Sequence, residues 1–297
     1  MAEAEKLTFS ASLAAVLEPH LPPPPTRSPN PAPSTSPTRP FVTLTFATSL
    51  DSSLSLAPGV RTRLSGPASK AMTHHLRSRH SAILIGVSTL LADDPGLNCR
   101  LAGLSGLTGQ PRPIILDPHA RWTPRPSDKV LALCRAGAGL APFVLTGVRV
   151  DQIPPEHVRL LEDHGGKYIH VVAAAAAVPG ASGADVGVGV GVGADARLRF
   201  SWRDILGVLL AEEGLASVMV EGGGQVINSL LDPANHDLVD AVIVTIAPTW
   251  LGRGGVVVSP ERVVDEGGTP SAAARLCSVS WLPLGEDVVL CGRLQAR

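Results

Sequence analysis

Glu221-Gly222-Gly223-Gly224 sets a carboxylate directly before three residues that carry no side chain. The apolar run Val218-Met219-Val220 precedes it and Gln225-Val226-Ile227-Asn228 follows. The pattern reads as a buried strand ending on a carboxylate, then a turn, then the start of a helix. Unpaired N–H groups at a helix start, with the positive end of its dipole, make an anion site, and missing Cβ atoms let a phosphate approach the backbone. The diphosphate of a nucleotide is the natural guest. A tight strand-to-helix turn explains three glycines equally well. Glu221 tilts the balance, because a carboxylate at the mouth of a parallel strand lies where ligands of open α/β sheets bind.

Gly86-Val87-Ser88-Thr89-Leu90-Leu91-Ala92-Asp93-Asp94-Pro95 repeats that logic after the apolar run Ile83-Leu84-Ile85. Thr89 is placed to cap a short helix, and Pro95 to end it and hold Leu97 to Arg100 in an extended turn. Taken alone, Asp93-Asp94-Pro95 is more often a helix stop than a site. Two such junctions together are harder to dismiss. Three guanidinium groups bear on a charged substrate: Arg77 and Arg79 before this junction and Arg100 after it. An arginine pair converging on a pocket suits a sugar phosphate, although spacing leaves open which of the three points inward. His74 and His75 are neighbours on the same helical stretch and so point about 100° apart. They are assigned no function.

These residues need a scaffold, and short apolar runs supply its strands: Val42–Ala47, Ala82–Val87, Pro113–Asp117, Phe143–Thr146, Tyr168–Val172, Val218–Glu221, Ala241–Ala247 and Val288–Leu290. Several are apolar at consecutive positions, as strands covered on both faces are. Helices are expected at Lys70–Arg79 after a Ser69 cap, at Trp202–Glu213 behind Ser201-x-x-Asp204, and at Gln225–Leu231. Strand, helix and strand in alternation predict an α/β fold with a mostly parallel or mixed sheet flanked by helices.

Ten prolines fall in the first 40 residues, and residues 19–40 should be extended or disordered, with the folded part beginning near Phe41. Before that tract, Leu7, Leu13, Val16 and Leu17 have the spacing of a short amphipathic piece that docks on the body. A second biased stretch, the Ala/Gly/Val run at about 173–196, reads as a surface insertion. The organisation expected is therefore a 1–40 extension and one domain over 41–297. A formal net charge of −1 offers no general field for nucleic acid or an anionic membrane. No stretch is apolar enough to cross a bilayer, and four scattered cysteines without a C-x-x-C pair fit a reduced, cytoplasmic chain.

Taken together, Thr43-Leu44-Thr45-Phe46-Ala47-Thr48-Ser49-Leu50-Asp51, Thr73-His74-His75-Leu76-Arg77-Ser78, the Gly86-to-Arg100 string, Arg112-Pro113-Ile114-Ile115-Leu116-Asp117, Met219-Val220-Glu221-Gly222-Gly223-Gly224 and Ile246-Ala247-Pro248 resemble the pyrimidine reductases of riboflavin biosynthesis. The likeness is greatest to the fungal type, which acts on 2,5-diamino-6-ribosylamino-4(3H)-pyrimidinone 5′-phosphate. It implies a single dihydrofolate-reductase-like domain, a homodimer, and NADPH delivering hydride to C1′ of the ribosyl group. By matching position, Ala47, Thr89, Asp93 and Gly222, Gly223, Gly224, Gln225 and Val226 would contact the cofactor. Arg77, Leu97, Arg100 and Glu221 would line the substrate side.

Asp51 and Glu221 are the candidate catalytic helpers for the proton that reduction requires, and the sequence leaves open whether one of them or bound water supplies it. The chain departs from many relatives in reading Ser52-Ser53 after Asp51 where Gly-Lys is common, and in placing Ser81 where an Asp is common. It has no H-x-E and no P-C-x-x-C, so the zinc site of a fused deaminase is not expected. The alternatives are a reductase of the deaminated pyrimidine, a folate reductase, and a non-catalytic nucleotide-binding protein on the same fold.

Overall fold

The computed structural model describes residues 6–23, 37–104, 106–172, 200–264 and 267–295. The Ala/Gly/Val stretch expected as an insertion, and residues 24–36 of the proline-rich tract, lie outside them. In chain order the first elements are α1 (Ala11–Leu17), β1 (Phe41–Thr48), β2 (Ser53–Ser55), α2 (Pro67–Arg79), β3 (Ala82–Gly86), α3 (Val87–Asp93) and β4 (Arg112–Leu116). Next come α4 (Lys129–Arg135), β5 (Phe143–Thr146), α5 (Pro155–Glu162), β6 (Lys167–His170), α6 (Trp202–Ala211), β7 (Ser217–Gly222) and α7 (Gly224–Leu230). The chain closes with β8 (Ala241–Ile246), β9 (Val256–Val257), β10 (Val263–Val264), β11 (Pro270–Ser271), β12 (Leu276–Leu284) and β13 (Asp287–Leu294).

Nine strands form one sheet in the order β12-β13-β8-β1-β7-β3-β4-β5-β6. From β8 to β6 every neighbour is parallel, while β13 and β12 add an antiparallel edge. This is the mostly parallel mixed sheet that the apolar runs predict. Consecutive apolar residues serve its two faces in turn. Val42, Leu44, Leu84 and Val220 pack with Trp202, Ile205 and Leu209 of α6 and Ile227 of α7. On the other face Met219 and Ile243 meet Leu17, Met72 and Leu76 of the α1–α2 layer, and Ile83, Ile85 and Ile115 meet Leu90, Leu131 and Leu161 of α3, α4 and α5.

Several local expectations change. Ordered structure begins well before Phe41: α1 docks as its apolar spacing predicts, with Leu17 and Leu21 buried against α2. Helix α2 starts at Pro67, with Gly66 rather than Ser69 at its N-cap. Asp287, at the start of β13, takes over the capping by accepting from the Gly66 N–H at 2.8 Å and from the Ser69 hydroxyl. Likewise Gly86 precedes α3, and Thr89 is its third residue instead of its cap. Leu97 is not extended but sits at φ 52° with its side chain buried, a conformation that costs a leucine roughly 1–3 kcal/mol and persists because the surrounding core fixes it. The Ser201 hydroxyl does accept from the Asp204 N–H, as the capping pattern predicts.

Candidate active site

Strands β1 and β7 are paired only from Phe41–Leu44 to Ser217–Val220. Beyond Leu44, β1 runs on beside β8 to Thr48, whereas β7 turns away at Gly222. A cleft therefore opens at the carboxyl ends of these two strands. On its other side β7 faces β3, where Leu84 stands opposite Val220 and Ile85 opposite Gly222, so that Glu221 is an extra, unpaired residue. Such a bulge bends the strand and re-aims its side chain.

Glu221 turns toward α2. Arg77 donates from Nε to Oε1 at 2.7 Å and from Nη2 to Oε2 at 2.6 Å, and its Nη1 donates to the Asn98 carbonyl at 2.9 Å. Both side chains are mostly shielded, at 13% and 15% exposure. Burial works against the Arg77 charge, but the Glu221 carboxylate outweighs it and raises the guanidinium pKa. Of the three candidate arginines, Arg79 leaves the site to pair with Glu18 at the end of α1. Arg77 and Arg100 remain.

Arg100 is held by a residue that the sequence left without a role. His74 is buried on α2, and its Nδ1 accepts the Arg100 backbone N–H at 2.9 Å. Burial, followed by the charges of Arg77, Arg100 and Lys70, lowers the His74 pKa to about 3, so the ring is neutral. A neutral imidazole has one acceptor, already used, so Nε2 carries the proton. The Arg100 Nη2, 3.1 Å from Nε2, thus finds an N–H and not a lone pair. His74 fixes the Arg100 main chain while leaving the guanidinium to a ligand. On its far side, the Leu7 N–H donates to the Arg100 carbonyl at 3.0 Å and the Ala102 N–H to the Leu7 carbonyl at 2.7 Å. The segment before α1 therefore laces onto the same turn.

The two glycine-bearing junctions meet. Gly223 adopts φ 92° and ψ 123°, and a Cβ on it would stand 3.3 Å from Thr89 Oγ1. A Cβ on Gly222 would meet nothing, whereas one on Gly224 would collide with Val256 of β9. The space a side chain would fill is thus open at buried Gly222 and narrow at half-buried Gly223 beside Thr89, with β9 closing the back at Gly224. Gln225 is exposed, but the Val226 side chain belongs to the core, leaving its main chain for any contact. Asp93 is half-buried, burial raises its pKa, and Arg61 partly offsets this. Among the described residues no hydrogen bond reaches its carboxylate.

At the end of β1, Ala47 pairs with Thr245 and is half-buried. Asp51 lies just beyond. Its carboxylate accepts from the Ser49 hydroxyl, from the Leu251 N–H at 3.1 Å and from the Gly252 N–H at 2.8 Å, and these donors, Ser49 first, lower its pKa. Asp51 therefore ties the β1–β2 turn to the segment after β8. No hydrogen bond or ion pair joins it to Glu221 among the described residues. The Leu97 side chain packs into the core, so only its main chain faces the turn.

Residues 40–290 match the RibD C-terminal domain family. This chain belongs to that family. The 2,5-diamino-6-ribosylamino-4(3H)-pyrimidinone 5′-phosphate reductase of Debaryomyces hansenii is 38% identical to it over 258 residues, covering 86% of this chain and 90% of that protein. The reductase of the same name from Eremothecium gossypii is 39% identical over 295 residues, covering 97% and 98%. Among solved structures, the riboflavin biosynthesis reductase Rib7 of Saccharomyces cerevisiae superimposes with a TM-score of 0.64 at 32% identity, over 88% of this chain and 93% of that one. In this RibD C-terminal domain the cleft is framed by the Glu221 bulge, the Arg77 pair and the Thr89–Gly223 contact. The α1 segment, which precedes the matched residues, braces it from outside.

Proposed function

We propose that this chain reduces the ribosyl side chain of 2,5-diamino-6-ribosylamino-4(3H)-pyrimidinone 5′-phosphate to the ribityl form, a step of riboflavin biosynthesis, with NADPH as reductant. The observation that carries this reading is the meeting of Thr89 with the Gly222–Gly224 turn at one end of a cleft whose other wall holds Arg77, Glu221 and Arg100.

The residues fit a dinucleotide. Main chain from Gly222 to Val226 and the Thr89 hydroxyl would hold the diphosphate, since Gly222, Gly223 and Gly224 carry no Cβ and the Val226 side chain turns into the core. The unbonded Asp93 carboxylate would accept from a cofactor hydroxyl, and the small Ala47 side chain leaves room for the nicotinamide. When bound, NADPH supplies a hydride to C1′ of the open-chain imine.

The chain's own residues orient the acceptor and exclude water. Arg100, with its main chain pinned by His74, suits the 5′-phosphate, and the Leu97 main chain shapes the same turn. Glu221, oriented by Arg77, has lone pairs left for donors on the pyrimidine or ribose. Asp51 is held ionised by its three donors, so its part is to position the loops around the β1 end. We infer that water ordered on Glu221 relays a proton from solvent to the ring oxygen as its bond to C1′ breaks, which leaves the imine that takes the hydride. The four free cysteines fit a reducing cytoplasm. Edge strand β12, with Val279 and Trp281 exposed, offers a seam for the homodimer.

The test is NADPH oxidation with the diamino riboside phosphate and, separately, with its deaminated counterpart. Turnover of the former, faster than of the latter, is the expected result. No turnover of either compound would leave a nucleotide-binding protein, and preference for the deaminated one would reassign the substrate.

A further inference from the structure

We infer that Arg121, together with Ser88, reads the phosphate on the adenosine 2′-oxygen of the cofactor and thereby selects NADPH over NADH; this rests on a dinucleotide lying along the carboxyl edge as proposed above. Sheet order gives the reach. Strands β1, β7, β3 and β4 stand side by side, and their carboxyl ends lead in that order to Ala47, Gly222–Gly224, Ser88–Thr89 and the turn from Asp117 to Trp122. Neighbouring strands are about 4.8 Å apart, so the three steps from β1 to β4 span about 14 Å. With the nicotinamide at the β1 end and the diphosphate at the β7–β3 junction, an extended cofactor brings its adenosine ribose to the exits of β3 and β4.

A side-chain hydrogen bond bridges those two exits: Arg121 donates from Nη2 to Ser88 Oγ at 3.3 Å. The root of Arg121 is fixed on both sides. Buried Asp117 accepts the Trp122 N–H at 2.8 Å, and the Ala120 N–H donates to the Asp117 carbonyl at 3.1 Å, with Ala120 at φ 50°. Trp122 is itself buried and donates from Nε1 to Asp128 at 3.0 Å. The Arg121 side chain is 39% exposed, and its Nε lies 4.0 Å from Asp117 Oδ1, a separation that orients the group without using an N–H in a hydrogen bond. Among the described residues its only hydrogen bond is the one to the Ser88 hydroxyl, so Nη1 is left to a ligand beside that serine.

A planar fork of donors matches a phosphate in two contacts and has no such match in a hydroxyl. An arginine near the ribose is how dinucleotide sites accommodate a 2′-phosphate. Arg61 is the competing cation, and it acts on Asp93, at the far end of α3 from Ser88.

Calorimetric titration of the full chain with NADP⁺, NAD⁺, 2′,5′-ADP and 5′-AMP tests the assignment without relying on turnover. Arg121→Ala should weaken NADP⁺ and 2′,5′-ADP by roughly tenfold or more, the worth of a charge-assisted contact, and leave NAD⁺ and 5′-AMP nearly unchanged. Arg121→Lys should recover part of the loss, Ser88→Ala should lose less, and Arg61→Ala should leave the NADP⁺ to NAD⁺ ratio alone. Equal weakening of all four nucleotides by Arg121→Ala, an unchanged NADP⁺ affinity, or a ratio that follows Arg61 would each overturn the inference while sparing the dinucleotide site. Failure of the unmutated chain to bind either dinucleotide would remove the underlying reading, and this inference with it.

Discussion

Arg77 and Glu221 meet edge to edge, two parallel N–H···O contacts at 2.7 and 2.6 Å, although one sits on a helix and the other on a strand 144 positions later. The bulge opposite Leu84 and Ile85 turns Glu221 toward α2 and makes the contact possible. Removing one partner strands the other charge. Glu221→Ala should destabilise the fold by about 3–5 kcal/mol in urea titrations, whereas replacing both residues by apolar ones of similar size should recover most of that. Both variants should have lost turnover. A Glu221→Ala protein as stable as the parent would show that the pair carries no charge burden.

Gly223 and Gly224 are constrained for different reasons. Alanine at 223 must hold φ 92° with its methyl 3.3 Å from Thr89 Oγ1, a strain of about 1–3 kcal/mol placed in the nucleotide cradle. Alanine at 224 instead meets Val256 and must push β9 off the turn. Gly223→Ala should weaken NADP⁺ binding with a modest fall in Tm; Gly224→Ala should lower Tm more. Calorimetry on both variants checks the order, and undiminished NADP⁺ affinity in Gly223→Ala would take the turn out of the site.

The α1 segment should behave as part of the domain. Leu17 is fully buried in the cluster with Met72 and Leu76, so Leu17→Ala should cost about 2–5 kcal/mol. Glu18, 51% exposed in its pair with Arg79, should contribute no more than about 1 kcal/mol. Leu7→Pro removes the N–H that reaches the Arg100 carbonyl and should raise KM for the phosphorylated substrate more than it lowers kcat. Steady-state kinetics on that variant separates the two effects.

How much of this was legible in the sequence follows from the range of each interaction. Strands such as Phe143–Thr146 and the two glycine-bearing junctions were readable because short-range pattern determines them. The cap of α2 was not, since Asp287 lies 218 residues from Ser69. Nor was the aim of Glu221, which depends on the register of β3. Adjacent His74 and His75 indeed serve different faces, yet the partner of His74 arrives from the turn at Arg100, and nothing local announces it. Short helices α4 and α5 and edge strand β12 went unforeseen. The strand carries Pro283 and exposed polar residues, which an edge tolerates and a central strand does not.

Acid should destabilise this protein in a defined window. His74 and His80 are both buried and neutral in the folded state, their pKa values lowered chiefly by burial, to about 3 and about 4 from 6.5. His80 receives the Thr43 hydroxyl at Nε2 and donates from Nδ1 to the Leu76 carbonyl at 2.7 Å, a pattern that a second ring proton breaks. The unfolded chain takes up a proton on each imidazole near pH 6.5, so unfolding is favoured progressively as pH falls below that value. The loss continues until about pH 4 for His80 and about pH 3 for His74, at roughly 1.4 kcal/mol per pH unit for each group. Carboxylates held below their usual range, such as Asp51 and Glu18, add to the same trend, so the contribution of one histidine is read by difference. In His74→Gln the side-chain oxygen still accepts the Arg100 N–H, but the titrating group is gone. Urea midpoints between pH 7 and 5 should fall less steeply for this variant than for the parent, and parallel slopes would mean that His74 is not protonated on unfolding in that range.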